Sequence, residues 1–169
     1  GAAGEAARLM ALRRYAVLDT PVDPEFEAFS ALAAGICDAP IALISLVDEH
    51  RQWFLSERGL GERETSLEVS FCVHAIRGSE LFVVPDASAD PRFRDNPLVT
   101  GPQHLRFYAG APLVTPEGHS IGTLCVLDRE PRALSDLQSG ALQTLAHHIV
   151  NALELRVAAR RLADTVEHL

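Results

Sequence analysis

Lysine is missing from this chain: every one of its 15 basic residues is an arginine. With no lysine, and no glycine-rich loop to carry one, a phosphate cradle of the P-loop kind is excluded. The arginines are outnumbered by 23 acidic residues, and the net charge of −8 argues against a general nucleic-acid binder. No apolar run approaches the roughly 18 residues of a membrane span. Nor is there a signal-peptide pattern, an internal repeat or a low-complexity segment. Cysteine is sparse: Cys37, Cys72 and Cys125 are an odd number without scaffold spacing, so reduced thiols in a cytoplasmic protein are the expectation.

What is present reads as a soluble, folded chain. Its 169 residues are 47% hydrophobic and 22% charged, enough for one domain of ordinary size, or one domain with a protruding helix. The most informative stretch is Arg106–Asp128. Two β-favouring runs, Phe107–Val114 and Ile121–Leu127, flank Thr115–Ser120 with its Pro116 and Gly118, which predicts a hairpin with a loop longer than two residues. The first run is apolar on both faces, with Phe107, Ala109, Ala111 and Leu113 on one and Tyr108, Gly110 and Pro112 on the other. A strand with so little alternation is covered on two sides, so the hairpin is placed in the middle of a sheet between helical layers.

Along the chain, Glu5–Ala16 predicts a helix with Leu9, Leu12 and Ala16 on one face, broken at Leu18–Pro21. Asp23 then caps a second helix with Pro24 at its first position and Phe26, Phe29, Ala33 and Ile36 along one stripe, ending near Asp38. Ile41–Val47 and Gln52–Leu55 predict strands joined by a turn at Asp48–His50. Glu57–Val69 is read as a long loop, Ser70–Arg77 as a short helix and Leu81–Val84 as a third strand. Asp86–Gln103, with three prolines and a glycine, must be mostly irregular, and a loop of that length suits one wall of a binding site.

Ser135–Gln138 fits a capping box for a last helix that runs unbroken to the chain end, its first half carrying Leu137, Leu142, Leu145 and Ile149. From Leu145 a heptad can be written with Leu145, Ala152, Ala159 and Val166 at one core position and His148, Leu155, Leu162 and Leu169 at the other. That spacing favours a coiled-coil partner; the alternative is a helix lying along its own domain.

Three stretches together resemble the GAF domains at the front of bacterial sensor histidine kinases and diguanylate cyclases: SFCVHAI at Ser70–Ile76, ADPRFRDNPLVT with RFYAGAPL between Ala89 and Leu113, and GTLCVLDREPRALS from Gly122. The resemblance covers roughly residues 10 to 156. It implies an α+β sandwich: a mostly antiparallel sheet of five or six strands, with the first and last helices on one face. The Cys72 helix and the Asp86–Gln103 loop would enclose a small-molecule pocket on the other. The domain would fill residues 1–156, with helices over 4–38, a sheet core over 40–128 and the last helix from 136. Residues 157–169 would continue that helix toward an output domain.

The same resemblance restricts the ligand without naming one. The phosphodiesterase signature for cyclic nucleotides, Asn-Lys…Phe…Asp-Glu, is replaced here by DREPRALSD, and the Asp-Ile-Pro element of bilin-binding phytochromes is absent. The ligand is therefore an unidentified small molecule, and fold likeness alone assigns a role rather than a compound.

Candidate pocket residues are Cys72, His74, Asp86, Phe93, His104, Arg106, Tyr108 and Thr123. Cys72 and His74, two apart on a helix, point in different directions, so Cys72 is read as a buried hydrophobe and His74 as a hydrogen bonder to the loop. One Cys and one His fall short of a zinc site. Cys37 and Cys125 are read as packing residues. Arg106 suits a carboxylate or phosphate, or else a salt bridge to Asp86 or Asp95 that pins the loop. Asp90–Phe93 and Asp95–Pro97 read as turn chemistry.

The isolated domain is expected to be a sensor, not an enzyme, and a homodimer through its first and last helices. Two rivals stand beside that reading. One is a free-methionine sulfoxide reductase using Cys72, the other a ligand-free dimerisation scaffold.

Overall fold

The strands that meet at the centre of this molecule lie far apart in sequence. In the computed structural model, which describes residues 2–169, β1 (Ile41–Val47) pairs antiparallel with β6 (Ser120–Asp128), Ile41 opposite Leu127 and Leu46 opposite Gly122. Outward from β1 come β2 (Arg51–Arg58) and β3 (Glu64–Ser66); outward from β6 come β5 (Phe107–Val114) and β4 (Phe82–Val84). The sheet is six-stranded in the order β3-β2-β1-β6-β5-β4, with every pairing antiparallel. The expected hairpin is present as β5 and β6, turned through Gly118 at φ 92°, where a glycine is needed.

Period-two alternation divides the sheet's side chains between two layers. Phe107, Ala109, Ala111 and Leu113 face a core built with Ala42, Ile44, Leu46, Leu124 and Val126. That side is covered by α1 (Ala2–Arg14), α2 (Pro24–Cys37) and α5 (Asp136–Glu167). Tyr108, Cys125 and Leu127 face the other way, under α3 (Cys72–Ala75), α4 (Pro97–Thr100) and the loops around them. Asp23 caps α2 by accepting from the Glu25 amide, and Ser135 with Gln138 completes the capping box of α5, both as the sequence predicts.

Several expectations need correction. The segment 57–69 is not all loop: β2 runs on to Arg58, and Glu64–Ser66 pairs with it as β3. A three-residue edge strand without an apolar run carries no sequence signal of its own. The first helix ends at Arg14, so Ala16 lies beyond it with φ 53° and is exposed. On α5, Leu137 points outward at 81% exposure, whereas Leu145 enters the chain's own core instead of a partner seam. Ala152 packs partly against that core as well. Beyond Val157 every residue of the helix is exposed, including Ala159, Leu162 and Val166. The helix is thus a core element as far as Val157 and a projecting rod beyond it.

Candidate functional site

Residues brought together on the loop side form an aromatic roof over a small polar cluster. Phe71 and Phe93 stack with ring centroids 4.3 Å apart, and Tyr108 leans against Phe71 at 5.3 Å. His74 meets Phe93 edge-on at 4.9 Å, so it packs on a loop aromatic where a hydrogen bond to the loop was expected. Burial and the nearby Arg77 and Arg92 guanidiniums push the imidazole below its usual value, which keeps it neutral. Arg92, held by Asp90, lies over the rings of Phe82 and Phe93 at 5.0 and 5.3 Å.

Beneath this roof the thiol of Cys72 accepts a hydrogen bond from the Tyr108 hydroxyl at 3.2 Å and lies 3.0 Å from Thr123 Oγ1. Gly110 makes that arrangement possible: a Cβ there would lie 2.2 Å from the Tyr108 hydroxyl, so the ring could not fold back across the strand. Ser45, opposite Thr123 in the β1–β6 ladder, adds a buried hydroxyl with no hydrogen-bond partner among the described residues. Cys125, two residues past Thr123 on the same face, belongs to the same buried layer and lines the same cavity as Cys72.

Burial works to raise the Cys72 thiol, but the neighbouring Cys125, Thr123 and Tyr108 groups outweigh it and lower it to about 7. Burial and the adjacent Cys72 push Cys125 and Tyr108 well up. The cluster therefore stabilises one negative charge, on Cys72, where the donors converge. Beside it lies a cavity of about 20 Å³, lined by Gln52, Thr65, Cys72, Tyr108 and Cys125 among apolar neighbours. That is room for one water-sized molecule.

Not every predicted residue reaches this place. Cys72, Phe93, Tyr108 and Thr123 do, and His74 borders it. Asp86 instead accepts from the Ser88 amide and hydroxyl, capping a short 3-10 turn. Arg106 forms neither expected salt bridge: its Nη1 donates to the carbonyls of Val99 and Leu105, at 2.9 and 3.0 Å, and its Nη2 meets exposed His104. It pins the loop, through backbone instead of carboxylate. Asp90 and Asn96 serve turn and cap geometry as predicted, accepting from the amides of Arg92 and Leu98. The sequence reading missed Phe71, Ser45 and the place of Cys125 in the cavity lining; Cys125 was reachable, since its period-two relation to Thr123 puts both on one face.

The family model for the GAF domain matches residues 2–153. Over 116 residues the chain is 53% identical to a cyclic di-GMP phosphodiesterase of Pseudomonas aeruginosa, a match covering 69% of this chain and 20% of that protein. The chain thus spans about a fifth of the curated relative's length. Among solved structures, the GAF domain of an Acinetobacter phosphoenolpyruvate-protein phosphotransferase superposes with a TM-score of 0.67 at 17% identity, covering 91% of this chain and 95% of that one. The free methionine-R-sulfoxide reductase of Neisseria meningitidis reaches 0.62 at 20% identity, over 89% and 87%. At such identities the likeness speaks for the fold. The two-layered antiparallel sheet, the roofed face and the family match agree: this chain belongs to the GAF domain family.

Proposed function

We propose that this domain is the cytoplasmic sensory part of a larger signalling protein, in which events at the roofed face are relayed through α5 to an output domain. The output is a histidine kinase or a cyclic di-GMP enzyme, and the name of the Pseudomonas relative favours the latter. One observation carries the reading. Strands β5 and β6 present Tyr108, Thr123 and Cys125 to the roofed site, and the opposite faces of the same strands pack on α5. A shift of either strand under a ligand is therefore felt directly by the helix that projects from the domain.

In this reading the exposed face of α5 from Leu155 onward pairs with a second copy. Leu155 and Leu162 are 70% and 66% exposed, an apolar seam that a parallel partner would cover. Light scattering at tens of micromolar is expected to give a dimer, and Leu155→Asp/Leu162→Asp a folded monomer. A monomeric wild-type domain would overturn the pairing. For the relay, a metabolite panel screened by thermal shift should yield a binder that alters hydrogen exchange along α5. A binder that protects the 96–106 loop but leaves α5 untouched would overturn it.

The cavity's size favours a second reading, the ligand-free scaffold: about 20 Å³ holds no metabolite unless Phe71 and Phe93 separate. No thermal shift across the panel, with the dimer intact, would select the scaffold.

A further inference from the structure

Three thiols occur in this chain, and only two share a layer. Cys37 lies in the helical core on the far side of the sheet, whereas Cys72 and Cys125 belong to the roofed cluster and both line its cavity. We propose that Cys72 and Cys125 are a redox pair that a hydroperoxide closes into a disulfide, tying α3 to β6. The inference does not rest on the sensory reading and stands whether or not a metabolite binds.

The geometry assigns the roles. Cys72 is the attacking sulfur: Tyr108 donates to it at 3.2 Å and Thr123 lies at 3.0 Å, so its thiolate is solvated by hydroxyls in an otherwise apolar layer. Cys125, on the facing strand and lining the same cavity, is held protonated by burial and the adjacent Cys72, and resolves. Hydrogen peroxide is little larger than the water-sized molecule the adjoining cavity admits. In the first step the Cys72 sulfur bonds to one peroxide oxygen, the O–O bond breaks, and the departing hydroxide takes up a proton and leaves as water. In the second, the Cys125 sulfur bonds to the sulfenyl sulfur of Cys72, the S–O bond breaks, and hydroxide leaves as water with the Cys125 proton. The two thiols lose two electrons in all, and the peroxide is reduced to two waters.

The purified wild-type domain, treated with stoichiometric hydrogen peroxide and then denatured, should fall from three titratable thiols to one. Tryptic digestion should link the Glu64–Arg77 peptide to Phe107–Arg129, and dithiothreitol should release it. In Cys125→Ser, with no thiol to resolve it, Cys72 given two or more equivalents of peroxide should instead advance to the sulfinic acid, a gain of about 32 Da. Tyr108→Phe removes one donor without a charge change, so the pH midpoint of cross-linking, near 7 in wild type, should move up. The proposal is overturned if wild-type Cys72 stays a thiol, or over-oxidises with no link to Cys125.

Discussion

Arg14 and Glu154 join the end of α1 to the middle of α5 through two hydrogen bonds, 2.9 and 2.7 Å long, and the Tyr15 hydroxyl donates to the same carboxylate at 2.7 Å. Farther along, Arg156 reaches Asp23 and Glu25 at the start of α2, and Arg160 donates to the Tyr15 carbonyl. The signalling helix is thus clasped by the α1–α2 connection just where it begins to leave the domain. An arginine fork on a carboxylate fixes angle as well as distance, so this clasp sets the direction of the rod.

Protonating Glu154 should loosen that clasp. The Arg14 contact holds its carboxyl below the usual value, so its stabilising contribution is complete above about 4.5 and is lost as pH falls through the lower, folded value. Glu154→Gln should cost about 1 kcal/mol at pH 7 and flatten the acid limb of the stability curve. Thermal unfolding from pH 7 to 3 checks both, and an unchanged acid limb would refute the assignment.

Phe93 closes the roofed site, stacked on Phe71 and 1% exposed. Phe93→Ala should cost about 3 kcal/mol and leave a dry apolar void. Indole should then raise the melting temperature of the variant and leave the wild type unmoved, which calorimetry would detect.

The folded-back Tyr108 ring requires a glycine at 110. Gly110→Ala should destabilise by about 1–3 kcal/mol, and its effect should be strongly non-additive with Tyr108→Ala, because the second change removes the group being struck. A double-mutant cycle in urea measures the coupling; additivity would mean that the ring does not lie there.

Arg106 holds the 96–106 loop by its bonds to Val99 and Leu105. Arg106→Ala should cost about 1–2 kcal/mol and speed amide exchange between Val99 and Leu105, with little change in α5. Arg106→Lys, with a compact ammonium in place of the fork, should restore only part of the protection.

How much of this was legible beforehand divides along a physical line. Strand periodicity placed Phe107 and Tyr108 on opposite sides of one strand, and cap chemistry fixed the starts of α2 at Asp23 and of α5 at Ser135, because both are local properties of side-chain spacing and backbone hydrogen bonding. Family resemblance added the layered topology. Out of reach were the contacts set by long-range pairing. β1 lies against β6 and thereby brings Ser45 opposite Thr123; α3 is laid over them so that Cys72 finds Thr123 and Tyr108. Leu145 and Leu155 belong to one heptad pattern, yet the first is sealed in the core and the second stands in solvent. A repeat along a helix says which side chains line up, but only the packed sheet beneath decides where the domain ends and the free rod begins.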